Sequence, residues 1–164
     1  MLKQDLEKLI KPIPLADEHV DEVYEIEKLS YKVPWSKFGF YAEIRNPFSH
    51  SYVLFLGHEI VGYIVLWDYG KSLHIANITV HPNYRRRGLG RFMIRFAKDI
   101  AKEHRKRFLT LEVRKSNLPA RKLYESEGFV EIGVIRGYYP GDFEDAVIYQ
   151  YKSECRDRNA EEKE

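Results

Sequence analysis

Residues 77–91 read Asn77-Ile78-Thr79-Val80-His81-Pro82-Asn83-Tyr84-Arg85-Arg86-Arg87-Gly88-Leu89-Gly90-Arg91, and this stretch decides the fold. Its first residues close the apolar run from Leu73 to Val80, which reads as a strand stopped at Pro82. From Leu89 the period changes. Leu89, Met93, Phe96, Ile100 and Ala101 share one helical face, while Arg91, Arg95, Lys98, Lys102 and Arg105 share another. A strand therefore runs through an arginine–glycine turn into a helix. Glycine lets the backbone turn tightly and lets a ligand come close. The helix start then aims free N–H groups and the positive end of its dipole into the turn. Three arginines at that end oppose the dipole at roughly 0.3–1 kcal/mol each, a penalty that a bound polyanion removes. A diphosphate fits this description. A solvated basic turn and a nucleic-acid patch are the competing readings. The spacing is neither the G-x-G-x-x-G dinucleotide pattern nor a Walker loop with Gly-Lys-Ser/Thr.

Downstream, Phe108 to Arg114 reads as another strand, so strand, helix and strand form a right-handed crossover with parallel strands. A short helix follows over about Pro119 to Glu127, with Gly128 at the C-terminal glycine position. Phe129–Arg136 and Asp145–Tyr151 read as a last antiparallel pair. Upstream, Ser51–Leu56, Ile60–Trp67 and Leu73–Val80 are joined by short turns, which predicts antiparallel hairpins. Pro12 and Pro14 break the start of the chain. Asp17 is the expected cap of a helix over Glu18–Ser30, with Val20, Val23, Ile26 and Leu29 on one face. Tyr31–Trp35, containing Pro34, reads as a loop, and Ser36 as the cap of a second helix to about Ile44. The sum is a mixed α/β (α+β) domain. Its central sheet is mostly antiparallel with one parallel βαβ crossover and flanking helices.

The 164 residues suit one domain, expected over 1–152, followed by a charged tail over 153–164 expected to be disordered. Apolar residues at 44% supply a core, and charged residues at 32% a polar surface. The net charge of +2 gives no reason to expect a nucleic-acid partner. The single cysteine, Cys155, excludes an internal disulfide and a Cys-based zinc site, and no metal is expected. No apolar run is long enough to cross a bilayer. Met1–Lys11 mixes Lys, Asp and Glu and does not read as a signal peptide. A soluble cytoplasmic protein with no membrane partner is the expectation.

The motifs together resemble the GNAT acetyltransferase superfamily. Arg85-x-x-Gly88-x-Gly90 is similar to its acetyl-CoA motif, preceded by the Asn77–Pro82 strand end. Leu111-Glu112-Val113-Arg114, Asn117-x-x-Ala120 and Leu123-Tyr124-x-x-x-Gly128-Phe129 match the pattern that follows. Pro34-Trp35-Ser36 and Tyr138-Tyr139-Pro140 are similar to the RimI-like subgroup, which acetylates protein N-termini. The resemblance spans about Leu15 to Tyr151 and implies a sheet that splays open beside the Val80 strand, with acetyl-CoA in the gap. It implies that the backbone of Ile78, Thr79 and Val80 pairs with the pantetheine. It further implies that Arg85, Arg86, Arg87, Gly88, Leu89, Gly90 and Arg91 surround the pyrophosphate, and that Asn117 hydrogen-bonds the cofactor.

Acetyl transfer needs a neutral amine and a proton for the leaving thiolate. A peptide α-amine has a pKa near ~7.7–8.0 and a lysine amine near ~10.4, so at pH 7 deprotonation costs about 1 against nearly 5 kcal/mol. A modest base therefore suffices for α-amines. By strand alternation Glu112 shares a face with Thr110 and Arg114, and the resemblance makes it the first candidate base. The competing reading pairs it with Arg114. His74 is a second candidate, at a strand position where related enzymes carry a catalytic His or Tyr. The resemblance makes Tyr124 the general acid beside the cofactor sulfur. Tyr31, Val33, Pro34 and Trp35, with Tyr138 and Tyr139, would flank the peptide entrance as aromatic rims. Gly137 stands where the bacterial RimI pattern has Asn, which bears on whether ribosomal proteins are among the substrates. The reading is transfer to protein or peptide N-termini. Rivals are a small-amine or polyamine acetyltransferase, which needs an acidic pocket, and a non-catalytic acyl-CoA-binding or nucleic-acid-binding module.

Overall fold

The computed structural model describes residues 3–154. Helix α1 (Lys3–Leu9) leads into β1 (Ile10–Pro14), and a 3-10 turn (Asp17–His19) into α2 (Val20–Ser30) and α3 (Lys37–Arg45). Strands β2 (Ser49–Leu56), β3 (Glu59–Asp68) and β4 (Ser72–Val80) follow. Next come α4 (Leu89–Glu103), β5 (Phe108–Arg114), α5 (Leu118–Ser126), β6 (Val130–Ile135) and β7 (Ala146–Lys152). They build one sheet in the order β1-β2-β3-β4-β5-β7-β6. Every neighbouring pair is antiparallel except β4–β5. The expected hairpins, crossover and final antiparallel pair are all present.

Two cores lie on opposite faces of the sheet, because side chains of a strand alternate. Val53 and Tyr63 point to the side covered by Val20, Val23 and Ile26 of α2 and Phe40 of α3. Leu54 and Ile64 point the other way, toward Leu89, Met93, Ile94, Ala97, Ile100 and Ala101 of α4. Each large side chain fully buried there contributes roughly 1.5–3 kcal/mol. Phe96, at the edge of the stripe, packs edge-on against Tyr52 at 4.9 Å. Ser36 caps α3 by accepting the Gly39 N–H at 3.1 Å, and Gly128 has the left-handed φ of 89° that ends α5.

Three expectations are corrected. The first concerns the proline-broken start, which is an edge strand: β1 pairs with β2 from Ile10–Leu56 to Pro14–Tyr52. Proline is tolerated there because an edge strand has one unpaired side. Asp17 does not cap α2; its carboxylate takes both guanidinium nitrogens of Arg45 at 3.1 and 2.9 Å. Leu29 is 67% exposed, whereas Glu27 is 1% exposed. Steps of three residues fall behind the 3.6-residue turn, so by Leu29 the stripe has rotated off the core, and Glu27, four residues past Val23, occupies it. On the basic face of α4, three cations find a protein partner. Arg91, Arg95 and Lys98 converge on the Glu127 carboxylate at 2.5, 3.3 and 3.1 Å. Of the tail, Ser153 is buried and donates its N–H to Arg107 O at 2.8 Å. The part of the disorder expectation covering 155–164 lies outside the described residues, as does Cys155.

Candidate active site

Strands β4 and β5 pair over only four residues each, Ser72–Ile75 with Phe108–Leu111. Beyond that point β4 stays with β3 through Gly62–Val80, and β5 stays with β7 through Arg114–Ala146. The register of β3 against β4 shifts between Val65 and Leu66, whose partners are Asn77 and Ile75. Ala76 is thus an extra residue, and such a bulge bends its strand. The sheet opens there, leaving one edge of Asn77–Val80 unpaired by β5.

At the end of β4 the chain passes a 3-10 turn, Pro82–Tyr84, and reaches the arginine–glycine turn. Arg86 and Gly88 both have positive φ, 61° and 86°. Gly88 is the N-cap of α4 and has no side chain to cap it, so the N–H groups of Leu89, Gly90 and Arg91 lack both a cap and an i−4 partner. The side chains of Arg85, Arg87 and Arg91 turn elsewhere. Arg85 reaches back to Val80 O at 3.3 Å and Ser30 Oγ at 3.2 Å. Arg87 lies over the Tyr84 ring at 5.2 Å, and Arg91 is held by Glu127 and Ser126. What the turn offers an anion is mainly backbone. Asn117 caps α5 by accepting Ala120 N–H at 3.3 Å.

His74 faces Thr110 in the β4–β5 register, and Glu112 lies one residue beyond the last paired position, where the strands part. His74 Nε2 lies 2.7 Å from Glu112 Oε2, and His74 Nδ1 lies 2.7 Å from Thr110 Oγ1. Arg114 is not the partner of Glu112; it binds Asp142 at 3.0 Å and Glu144 at 3.3 Å. The imidazole stacks against Tyr69 at 5.5 Å and Trp67 at 6.1 Å. Burial raises the hydroxyl pKa of Tyr69 and of Tyr138, and in each the Glu112 charge adds to the rise.

The Tyr124 ring is buried against Phe129 and Tyr149. Burial pushes its hydroxyl pKa well up, reinforced by Tyr31 and Tyr139, which places all three phenols within electrostatic reach of one another. Burial likewise pushes Tyr139 up to about 12. Tyr31 is also pushed up to about 12, first by burial of the hydroxyl. That hydroxyl sits 3.1 Å from Ile78 O and 2.8 Å from Thr79 Oγ1. The remaining entrance residues divide. Trp35 packs on Phe40 at 5.5 Å and stacks on Trp67 at 6.2 Å. Tyr138 meets Tyr139 edge-on at 5.1 Å, and Arg114 lies over the Tyr139 ring at 4.1 Å. Pro34 is half-buried, whereas Val33 is exposed and joins none of these contacts.

Sequence reasoning missed Thr110, Trp67, Tyr69 and Glu27 as members of this site. Glu27 had a signal, a lone carboxylate on the apolar stripe of α2. Thr110 was readable only once the β4–β5 register placed it opposite His74.

The parted strands, the uncapped helix start and the carboxylate at the fork define an acyl-CoA-type transferase scaffold, and the acetyltransferase (GNAT) family model matches residues 20–129. The chain belongs to the GNAT acetyltransferase family. It is 40% identical over 132 residues to a candidate [ribosomal protein bS18]-alanine N-acetyltransferase of Bacillus subtilis, covering 80% of this chain and 87% of that one. It is 31% identical over 159 residues to the N-alpha-acetyltransferase of Sulfurisphaera tokodaii, covering 89% and 93%. The crystal structure of the ribosomal-protein-S18-alanine N-acetyltransferase from Escherichia coli superposes with a TM-score of 0.84 at 29% identity, over 92% of this chain and 97% of that one.

Proposed function

We propose that this enzyme transfers the acetyl group of acetyl-CoA directly to the α-amine of protein or peptide N-termini. The observation that carries the reading is the His74–Glu112 contact at the point where β4 and β5 separate. The fit to the coenzyme rests on the turn: three helix N–H groups without a cap suit a diphosphate, and the edge of Ile78–Val80 that β5 leaves unpaired, with its Ile78 and Val80 carbonyls touched by Tyr31 and Arg85, suits the pantetheine amides. Asn117, whose Oδ1 caps α5, has its Nδ2 to offer the same ligand.

Acetyl-CoA supplies an activated acyl carbon and a thiol leaving group. The protein supplies the proton handling. A carboxylate only accepts, so with Glu112 ionised His74 Nε2 carries hydrogen toward it, and Nδ1 is engaged by Thr110. Both imidazole nitrogens are thereby occupied. His74 orients the carboxylate, and Glu112 Oε1 is the atom open to take a proton from the incoming amine. Tyr124, kept protonated by burial, holds the proton that the leaving sulfur needs. Tyr31, Val33, Pro34 and Trp35 on one side and Tyr138 and Tyr139 on the other form the peptide entrance.

A polyamine acetyltransferase needs free acid at that entrance. Asp142 and Glu144 are held by Arg114, and Asp145 accepts the Gly137 N–H at 3.0 Å, which speaks against that rival. Among the described residues no helix is long and apolar enough to cross a membrane. The proposed setting is the cytoplasm, with ribosomal proteins among the candidate substrates, as in the names of the bacterial relatives. The test is acetylation of a peptide library varied at its first two residues, with free and blocked α-amines, beside free polyamines. Turnover of free-amine peptides alone is expected; turnover of polyamines alone would overturn the reading.

A further inference from the structure

Glu27 is a carboxylate buried in α2 with no cation beside it among its hydrogen-bond partners. Its Oε1 accepts the Trp35 N–H at 3.1 Å. Its Oε2 accepts the Tyr63 hydroxyl and the Asn77 Nδ2 at 3.0 Å. Asn77 Oδ1 in turn accepts the Thr79 hydroxyl at 2.8 Å, and Thr79 Oγ1 touches the Tyr31 hydroxyl at 2.8 Å. Among the described residues no buried side-chain polar atom is left without a partner, so the chain of bonds is complete.

The direction of each hydrogen follows from the first. A carboxylate only accepts, so Asn77 must turn its NH2 to Glu27 and its carbonyl to Thr79. Thr79 then spends its hydrogen on Asn77. Both neighbours of the Tyr31 hydroxyl, Thr79 Oγ1 and Ile78 O, are therefore acceptors, and the Tyr31 hydrogen stays on β4. What remains to face the gap is oxygen lone pairs. We propose that Glu27 is a positioning residue that, through Asn77 and Thr79, fixes the Tyr31 hydroxyl as a hydrogen-bond acceptor for the substrate's α-amino group. This rests on the substrate class proposed above.

Glu27→Gln keeps the volume and reverses the sense. The Gln amide faces Asn77 with NH2, so Asn77 turns round and presents its own NH2 to Thr79. Thr79, having lost its acceptor, is then free to direct its hydrogen at Tyr31, which takes up a lone pair otherwise offered to the substrate. The experiment is calorimetric titration of the CoA-saturated protein with a peptide amide bearing a free N-terminal alanine, and with its N-acetylated counterpart. Wild type, Glu27→Gln, Tyr31→Phe and the double variant are compared. The single variants are expected to bind the free-amine peptide about tenfold more weakly, the size of one lost hydrogen bond to a charged group. The double variant is expected to match Tyr31→Phe, because the two act through one oxygen. Should Glu27→Gln fail to fold, Asn77→Ala removes the acceptor of the Thr79 hydrogen and frees it for Tyr31, while Trp35 and Tyr63 still bond the buried carboxylate, with the same expected loss and the same absence of effect in the Tyr31→Phe background. Unchanged binding in Glu27→Gln, losses that multiply in the double variant, or no preference of the wild type for the free amine would each overturn the proposal. Acetylation rates are read separately. A wild type that binds the free amine yet never acetylates it fails the proposed function, while this binding cycle still decides the role of Glu27.

Discussion

Three side chains divide the proposed chemistry between them, and each has its own expected signature. Glu112→Gln removes the proton acceptor while keeping the hydrogen bond to His74, and should lower kcat by about 10²–10⁴ with KM for acetyl-CoA little changed. His74→Phe leaves the carboxylate in place but unsteered, so a smaller loss of kcat is expected in the same steady-state assay. Tyr124→Phe removes the proton destined for sulfur. It should slow the chemical step seen in single-turnover kinetics by about 10², the low end for a general acid because a thiolate is a good leaving group. Glu112 and Tyr124 became candidates in the sequence because each sits inside a spaced motif of the family that the chain resembles. Glu27 stood out only as a carboxylate on an apolar stripe and Thr110 not at all, since their partners lie on other elements. Glu27 meets Asn77, 50 positions away, and no local pattern encodes such a contact.

Elements were legible where one local rule decided them. The change of period at Leu89, the Ser36 cap and the Gly128 stop all stand in the structure. The start of the chain was misread because proline argues against a strand only where both sides are paired, and β1 is an edge. The turn before α4 carries the element-scale prediction. Gly88 adopts φ 86°, a region that costs an L-residue roughly 1–2 kcal/mol. Gly88→Ala should therefore weaken CoA binding about tenfold by calorimetry while the fold survives, because the strain falls on the turn that must aim the N–H groups. A weaker companion test is Ser36→Ala, expected to lower stability by ~1 kcal/mol in urea unfolding.

At the scale of the molecule, two ion-paired carboxylates tie distant segments and make stability depend on acidity. Burial alone would raise the Glu127 carboxyl, but Arg91 and Lys98 outweigh it and hold it below its ordinary 4.5. The Lys106 ammonium does the same for Asp68, ordinarily 3.8. A carboxyl depressed on folding stabilises the native state above its unfolded pKa and ceases to do so as pH falls through its folded one. Melting temperature should thus be level from neutrality to about pH 5 and drop below it. Glu127→Gln should flatten part of that drop.

The same scale reveals a mechanical trait. Among the described residues the strands of β1–β4 pair with those of β5–β7–β6 only through the four-residue parallel ladder, Ser72–Ile75 against Phe108–Leu111, while α4 packs across both groups. The backbone seam between the two groups is thus narrow, and a guest lodged beside it acts as a rivet. Amide exchange along that ladder, slowing when CoA is added while the β2–β3 hairpin keeps its pace, would register the two groups locking together.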